Sequence, residues 1–297
     1  MSKPHEEYYR AEVVGVRRLT PNMMRIRFGG DDLRRFRTSG FGDERICVFF
    51  PRPGDRHTPE PVYVDGRLDY SDGPGRPPSR SYTVRRWDAE NAELEIDFVV
   101  HEGGVAAGWA LSAQLGDGVG LSATDGWYAP PEGTQWQLLL ADMTALPALG
   151  RIIEELPAGT RAHAIVEVIF PDDAQTFETA GDVTVEWIHG TGHGHAPSAL
   201  LDALKAYDFP DGPGYIWLAA EASISRDVRK YVRRELGWPI ERFEIIGYWR
   251  VRKEEWLARW REKEAELEAV YTQAQADGLR GPELREHYLE ALEKAGL

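Results

Sequence analysis

The chain has 297 residues, 42 % of them hydrophobic, which is long for one compact domain and sufficient for two cores. Its formal net charge of −14 argues against non-specific nucleic-acid binding, and its single cysteine, Cys47, excludes an internal disulfide framework and any multi-cysteine metal or iron–sulfur site. No apolar run approaches the ~20 residues of a membrane helix, and the polar start MSKPHEEYYR lacks a signal-peptide core, so the expectation is a soluble, cytoplasmic protein without a membrane partner.

The first part, residues 1–131, reads as β-structure. Candidate strands are Tyr9–Leu19, Met23–Phe28, Ile46–Phe50, Ser81–Trp87, Glu93–His101 and Gly118–Ser122, each rich in Val, Ile, Phe or Tyr and bounded by Gly, Pro or Asp. One helix, Val105–Gln114, follows a Gly-Gly pair. Six strands and one helix predict a small antiparallel six-stranded barrel. Pro51–Ser79 is rich in Pro, Gly and Asp and reads as a loop.

The pattern changes near Pro130-Pro131. In residues 132–252, apolar strands (Gln137–Ala141, Ala162–Val168, Val183–Ile188, Tyr215–Ala219, Phe243–Ile246) alternate with helices (Thr144–Leu156, Pro197–Tyr207, Ser223–Leu236). This alternation predicts a doubly wound parallel sheet, which binds ligands beyond the carboxyl ends of its strands. Residues 253–297 read as helical. Trp256, Trp260, Leu267, Tyr271 and Ala274 recur at helical spacing, and a second helix starts at Pro282. That stripe predicts packing against the body of the protein or a second subunit.

The most specific signal is Arg80-Ser81-Tyr82-Thr83 on a barrel strand, then Asp97-Phe98-Val99-Val100-His101 and Gly103-Gly104-Val105-Ala106. An arginine holds a pyrophosphate by paired hydrogen bonds. A tyrosine two residues on faces the same side of a strand and offers its ring to a flat heterocycle. Free amides at a helix start after glycines suit phosphate. Each piece alone is equally at home in an ordinary sheet face or turn; the ordered set before an α/β domain is far rarer.

The chain resembles the ferredoxin–NADP reductase superfamily, and within it the siderophore-interacting proteins, which are FAD-dependent ferric-siderophore reductases. RSYTVRRWD (Arg80–Asp88), DFVVHEGGVAAGWA (Asp97–Ala110), LLLADMTALPAL (Leu138–Leu149) and the end runs Trp217–Ser223 and Phe243–Arg250 carry the resemblance, which covers roughly Tyr8 to Arg250. It implies an FAD-binding barrel, then an NAD(P)-binding-like α/β domain with a C-terminal helical extension. It implies an oxidoreductase with FAD as cofactor, NADH or NADPH as donor, or a ferredoxin, and a ferric siderophore as acceptor. A general flavin reductase and a non-catalytic flavin-containing siderophore-binding protein remain open alternatives.

Carried onto this sequence, the resemblance implies that Arg80 contacts the FAD phosphates, Tyr82 stacks beside the isoalloxazine, and Thr83 lies near its N5, with Ser81 between them. Asp97, Val99 and His101 line the ribityl and adenine side, and Gly104, Val105 and Ala106 give amides to the pyrophosphate. Thr144 and Ala145 occupy the nicotinamide-nucleotide loop, though Thr144 is equally a helix N-cap. Glu221 lies where the nicotinamide is contacted, and Tyr248 and Trp249 follow the last strand near the flavin or pack at the domain junction. No side chain needs to act as acid, base or nucleophile.

Three positions depart from the resemblance. Relatives often carry Lys at Cys47, Arg at Asp125 and an acid at Met143. The cations left for an anionic siderophore are Arg250, Arg252 and Lys253, with Arg45 and Arg52 as substitutes. Glu167, Asp172 and Asp173 after the second α/β strand favour NADH, whereas Arg226, Arg229 and Lys230 would accept the 2′-phosphate of NADPH. His189, His193 and His195 lie in a glycine-rich run without an acidic or cysteine ligand at a fitted spacing, and no metal site is expected.

Overall fold

The structure, a computed structural model, describes residues 6–71, 75–100, 104–194 and 196–297. Nine strands form the first part: β1 Tyr8–Thr20, β2 Met23–Gly29, β3 Arg45–Phe49, β4 Val62–Val64, β5 Arg67–Asp69, β6 Ser79–Thr83, β7 Arg86–Asp88, β8 Glu93–Val99 and β9 Gly118–Asp125. Period-two alternation drives their packing. Leu94, Ile96 and Phe98 of β8 enter the barrel core beside Ile26 and Phe28 of β2, while Glu93, Glu95 and Asp97 face the other way. Helix α1 (Val105–Ser112) adds Ala106 and Ala110 to this core.

The main sheet has seven strands in the order β6-β3-β9-β1-β2-β8-β7, one more than expected. The run Ser81–Trp87 is not one strand. Its backbone changes partner at Val84 and Arg85, whose amides bond to the carbonyls of Glu44 and Glu95. β6 therefore pairs with β3 and β7 with β8, so two residues join the opposite edges of the sheet and close the barrel. The segment expected as plain loop contains the β4–β5 hairpin. Its Asp65-Gly66 turn has φ of 50° and 78°, the left-handed pair of a type I′ turn.

The second part is a five-stranded parallel sheet: β10 Trp136–Ala141, β11 Arg161–Val168, β12 Asp182–His189, β13 Gly214–Glu221 and β14 Phe243–Trp249, in the order β12-β11-β10-β13-β14. Strands buried on both faces read as continuous apolar runs, as in Leu138–Ala141 and Tyr215–Ala220. α2 (Leu146–Glu155) covers one face, while α3 (Leu200–Ala206) and α4 (Ala222–Lys230), prolonged by a π turn at Tyr231–Glu235, cover the other. Strand order reverses between β10 and β13, which places the ligand crevice at their carboxyl ends.

The two parts meet through buried polar contacts. Glu44, fully buried, accepts a 2.8 Å hydrogen bond from Arg151 of α2. Arg85 pairs bidentately with Glu154 at 2.6 and 2.7 Å. Asp43 accepts Trp217 Nε1 at 3.1 Å, and Asp173 accepts the Thr20 hydroxyl at 2.7 Å. Beyond the sheet, α5 (Lys253–Ala276) and α6 (Gly281–Lys294) form a helical hairpin, with Leu267 and Ala274 of the expected stripe buried. α6 docks on α4 and β14 through Arg233–Glu286, Arg234–Glu293 and Arg285–Glu244, so the stripe packs within this chain. No helix among the described residues is long and apolar enough to cross a membrane.

Candidate functional site

β6 lies at the barrel edge, and its alternation separates two sets of groups. Arg80 and Tyr82 point to one side. The Tyr82 ring packs 4.4 Å from Phe98 and 6.1 Å from Phe50, which fixes its plane while leaving it half-buried. Arg80 is exposed; it donates to the Ser79 carbonyl at 2.8 Å and to no carboxylate among the described residues. Ser81 and Thr83 face the other side. Ser81 is exposed, whereas Thr83 is buried opposite Arg45 of β3 and beside Tyr248. The Tyr248 hydroxyl is buried without a well-formed hydrogen bond, and burial pushes the phenol well above its ordinary range.

α1 begins at Gly104 with extended backbone and no side chain capping its amides. Val105 is exposed and Ala106 is buried against the barrel. Free amides at a helix start suit an anion. An unspent arginine, an uncapped helix start and an orphaned buried phenol across the domain boundary together fit a flavin with its pyrophosphate. His101 and Gly103 lie outside the described residues. Asp97 and Val99 correct the expectation for their side chains. Asp97 is buried and pairs bidentately with Arg25 at 2.6 and 2.8 Å, and Val99 packs on the core of the α/β part. Both face away from the inward row of Leu94, Ile96 and Phe98, because alternation along β8 leaves them no other side.

At the crevice, the carboxylates serve the chain itself. Asp142 Oδ1 accepts the Thr144 amide at 2.8 Å, its hydroxyl at 2.6 Å and the Ala145 amide at 3.3 Å. Thr144 is therefore a donor to Asp142, not the N-cap acceptor; Ala145 stands at the N-cap of α2. Asp142 Oδ2 accepts Trp249 Nε1 at 2.6 Å, which ties the end of β14 to the end of β10. Glu221 accepts the Ser223 amide at 2.6 Å and the Val251 amide at 3.2 Å. Glu167 accepts the Ala199 amide at 2.9 Å and the Thr191 hydroxyl at 3.1 Å. Burial raises the pKa of both Asp142 and Glu167. Asp142 sits two residues before Thr144, a spacing typical of side-chain-to-backbone turns, and that signal was available in the sequence.

The expected cations differ in what compensates them. Arg45 pairs bidentately with Asp125 at 2.7 and 2.9 Å and lies 4.6 Å from the Trp127 ring, so its charge is spent within the barrel. Arg250 sits 4.4 Å from the Trp256 ring and shares a pocket with Arg226 and Arg229 against α6; it belongs to the tail junction. Arg252 is exposed, lies 3.9 Å from Glu255 and holds a left-handed φ of 53° where the chain turns into α5. Lys253 is exposed at the start of α5. On the basic face of α4, Arg226 donates to the Leu297 carbonyl at 2.9 Å, Arg229 donates to the Ile245 carbonyl and approaches Glu286 at 3.7 Å, and Lys230 is exposed. His193 packs 5.5 Å from Trp249. Among the described residues no group of three His, Cys, Asp or Glu is gathered to hold a metal ion.

Residues 12–127 match the siderophore-interacting FAD-binding domain family, and residues 134–252 match the siderophore-interacting protein family. The chain is 36 % identical to a siderophore utilization protein from T. fusca of known structure, covering 84 % of this chain and 95 % of that one with a TM-score of 0.74. Over 240 residues it is 31 % identical to the NADPH-dependent ferric-chelate reductase of Escherichia coli, covering 80 % of this chain and 91 % of that one. It is 29 % identical to the ferric vibriobactin reductase of Vibrio cholerae, covering 80 % and 87 %. This chain belongs to the siderophore-interacting protein family. As a siderophore-interacting protein it uses FAD and is a flavin-dependent oxidoreductase. The family match also ends at residue 252, which leaves the α5–α6 hairpin outside it.

Proposed function

We propose that this protein reduces ferric siderophores, taking electrons from a reduced nicotinamide nucleotide and releasing Fe(II) in the cytoplasm. The observation that carries the reading is a single strand that bears uncommitted Arg80 and ring-fixed Tyr82 on one face and buried Thr83, beside Tyr248 of the α/β part, on the other. The names of the E. coli and V. cholerae relatives support the acceptor class. When bound, FAD supplies the conversion between a two-electron donor and single-electron reduction of iron. The chain's own residues bind and orient: Arg80 and the Gly104–Ala106 amides hold phosphate, Tyr82 bounds one side of the ring system, and Thr83 presents a hydroxyl. Oxygen-rich, hard chelators hold Fe(III) far better than Fe(II), so reduction itself frees the metal.

A second reading of the donor rests on Asp142, Glu167 and Glu221. Each already takes amides at a helix start where a dinucleotide phosphate would bind, which favours a protein donor such as reduced ferredoxin. Anaerobic assays with NADH, NADPH and reduced ferredoxin in parallel, trapping Fe(II) from ferric siderophores, decide between them. We expect Fe(II) release with at least one donor. Reduction of free flavin with no release from any siderophore would instead identify a general flavin reductase.

A further inference from the structure

The α5–α6 hairpin, outside the family match, meets the rest of the chain largely through charge. Glu286, Glu290 and Glu293 recur at helical spacing, so one face of α6 is acidic. That face rests on α4 and its π turn. Glu286 and Glu290 pair with Arg233, Glu286 approaches Arg229 at 3.7 Å, and Glu293 pairs with Arg234 at 3.1 Å. The hairpin also has contacts of its own: Tyr271 of α5 packs 5.6 Å from Tyr288 of α6, and Trp260 Nε1 donates to the Tyr288 hydroxyl at 3.3 Å.

The contact between α4 and α6 is not packed like a core. A cleft of about 170 Å³ remains between them, and its lining sets Arg226, Arg229, Lys230, Arg233, Arg234 and Arg250 against the three glutamates of α6. Arg226, Lys230 and Arg250 form no ion pair among the described residues; Arg226 donates to the Leu297 carbonyl and Arg250 lies over the Trp256 ring. Burial lowers the pKa of Arg229 and Arg250, and the pull of Glu286 and Glu244 on the first and of Glu221 on the second does not outweigh it. An undercompensated basic face thus stands on a protein whose net charge is −14. The pairs that cover it are partly exposed, and such pairs contribute little and weaken with salt.

We propose that this face of α4 is a docking surface for an acidic partner protein that presents carboxylates along a helix, and that α6 occupies it as an internal competitor. The chemistry that seats α6, a row of carboxylates against Arg229, Arg233 and Arg234, is the chemistry that would seat the partner. A partner that also reaches Arg226, Lys230 and Arg250 gives these cations the carboxylates that α6 does not, and so displaces the hairpin. The inference stands apart from the ferric-reductase reading, because none of these cations is assigned to the flavin strand or its helix.

The test uses the full-length, FAD-loaded protein, as the parent and with Glu286→Gln, Glu290→Gln and Glu293→Gln combined. The probe is an alanine-based helical peptide bearing glutamates at the spacing of Glu286, Glu290 and Glu293, beside the same peptide with glutamines, and fluorescence anisotropy reads binding. The triple variant is expected to bind the acidic peptide about tenfold more tightly than the parent at low salt, because α6 no longer competes. The glutamine peptide should not bind, and adding Arg233→Ala and Arg234→Ala should remove the gain. Equal affinity of parent and variant, equal binding of both peptides, or binding of pyrophosphate in place of the acidic peptide overturns the inference. Should the variant's tail fail to fold, the parent decides: saturating acidic peptide is expected to speed hydrogen exchange of α6 amides about tenfold while α2 amides stay unchanged. Protection of α6 that the peptide does not alter overturns the proposal.

Discussion

Arg80 illustrates how little a single side chain reveals until its neighbours are known. In the sequence it is one of many arginines; in the structure, Arg25, Arg45, Arg85 and Arg151 are all consumed by carboxylates, while among the described residues Arg80 hydrogen-bonds the Ser79 carbonyl and no carboxylate. A charged group left without a counter-ion is expected to be completed by its ligand. Arg80→Ala should therefore lower FAD affinity at least tenfold, since each bond to a charged phosphate is worth about 1.5–3 kcal/mol. Flavin titration followed by protein fluorescence measures this, and the melting temperature of the FAD-free protein should not move. An unchanged Kd would remove Arg80 from the phosphate site. Arg45 and Arg250 show the converse: their identity as cations was plain from the sequence, but their partners Asp125 and Trp256 lie 80 and 6 positions away, and only folding brings the first pair together.

At the scale of elements, the sheet strands were the most legible because burial imposes a period. All five parallel strands appear where apolar runs predicted them, with ends displaced by a few residues. The split of Ser81–Trp87 was not legible, since Val84 and Arg85 break no local propensity; they turn because the barrel edge must change partner there. The Asp65-Gly66 hairpin, by contrast, had a local signature between Val-Tyr-Val and Arg-Leu-Asp. The docking of α6 has a thermodynamic consequence on β14. Glu244 is buried beneath it, and desolvation, only partly offset by Arg285 and Arg229, raises its pKa to about 7. A raised folded-state pKa means that the folded protein holds the proton more tightly. Its stabilisation is complete below the unfolded value of about 4.3 and is lost as pH rises through about 7. Glu244→Gln should accordingly flatten the fall in melting temperature between pH 5 and pH 8, as read by calorimetry. A variant with the same pH slope as the parent would show that Glu244 does not titrate in this window.

Across the whole molecule, the two parts are joined by buried ionised groups as well as by apolar contacts of Met23, Leu19 and Val99 with the α/β core. Glu44 is fully buried and receives Arg151, Thr38 and Thr124 together, and burial, which would raise its pKa, is outweighed by these contacts so that it lies below its usual range. Removing one member of such a pair leaves the other charged in a dry interface, at a cost of about 3–5 kcal/mol. Glu44→Gln should lower stability by that order in denaturant titrations, and because the contact crosses the domain boundary, it should weaken FAD retention as well. Replacement without effect on either quantity would mean that the domains are held by their apolar contacts alone. Tyr248 lies beside Thr83 because the α/β part is seated on the barrel.

The sequence by itself determined the order of the parts, the antiparallel-then-parallel character of the sheets, the helical tail and the strand that carries Arg80–Thr83. These are local or periodic properties, written in alternation, apolar runs and turn residues, and they survive without knowledge of distant contacts. Only the tertiary structure decided which charges remain available. Glu167 and Glu221 look like ligand-binding acids in one dimension and accept amides at helix starts in three, because each lies where a strand ends against a helix start. Arg250 looks like part of a cationic rim and rests on the tail. The physical reason is common to all of them. An ionised side chain is defined by the partner that compensates it, and chain folding chooses that partner over separations that no sequence window spans.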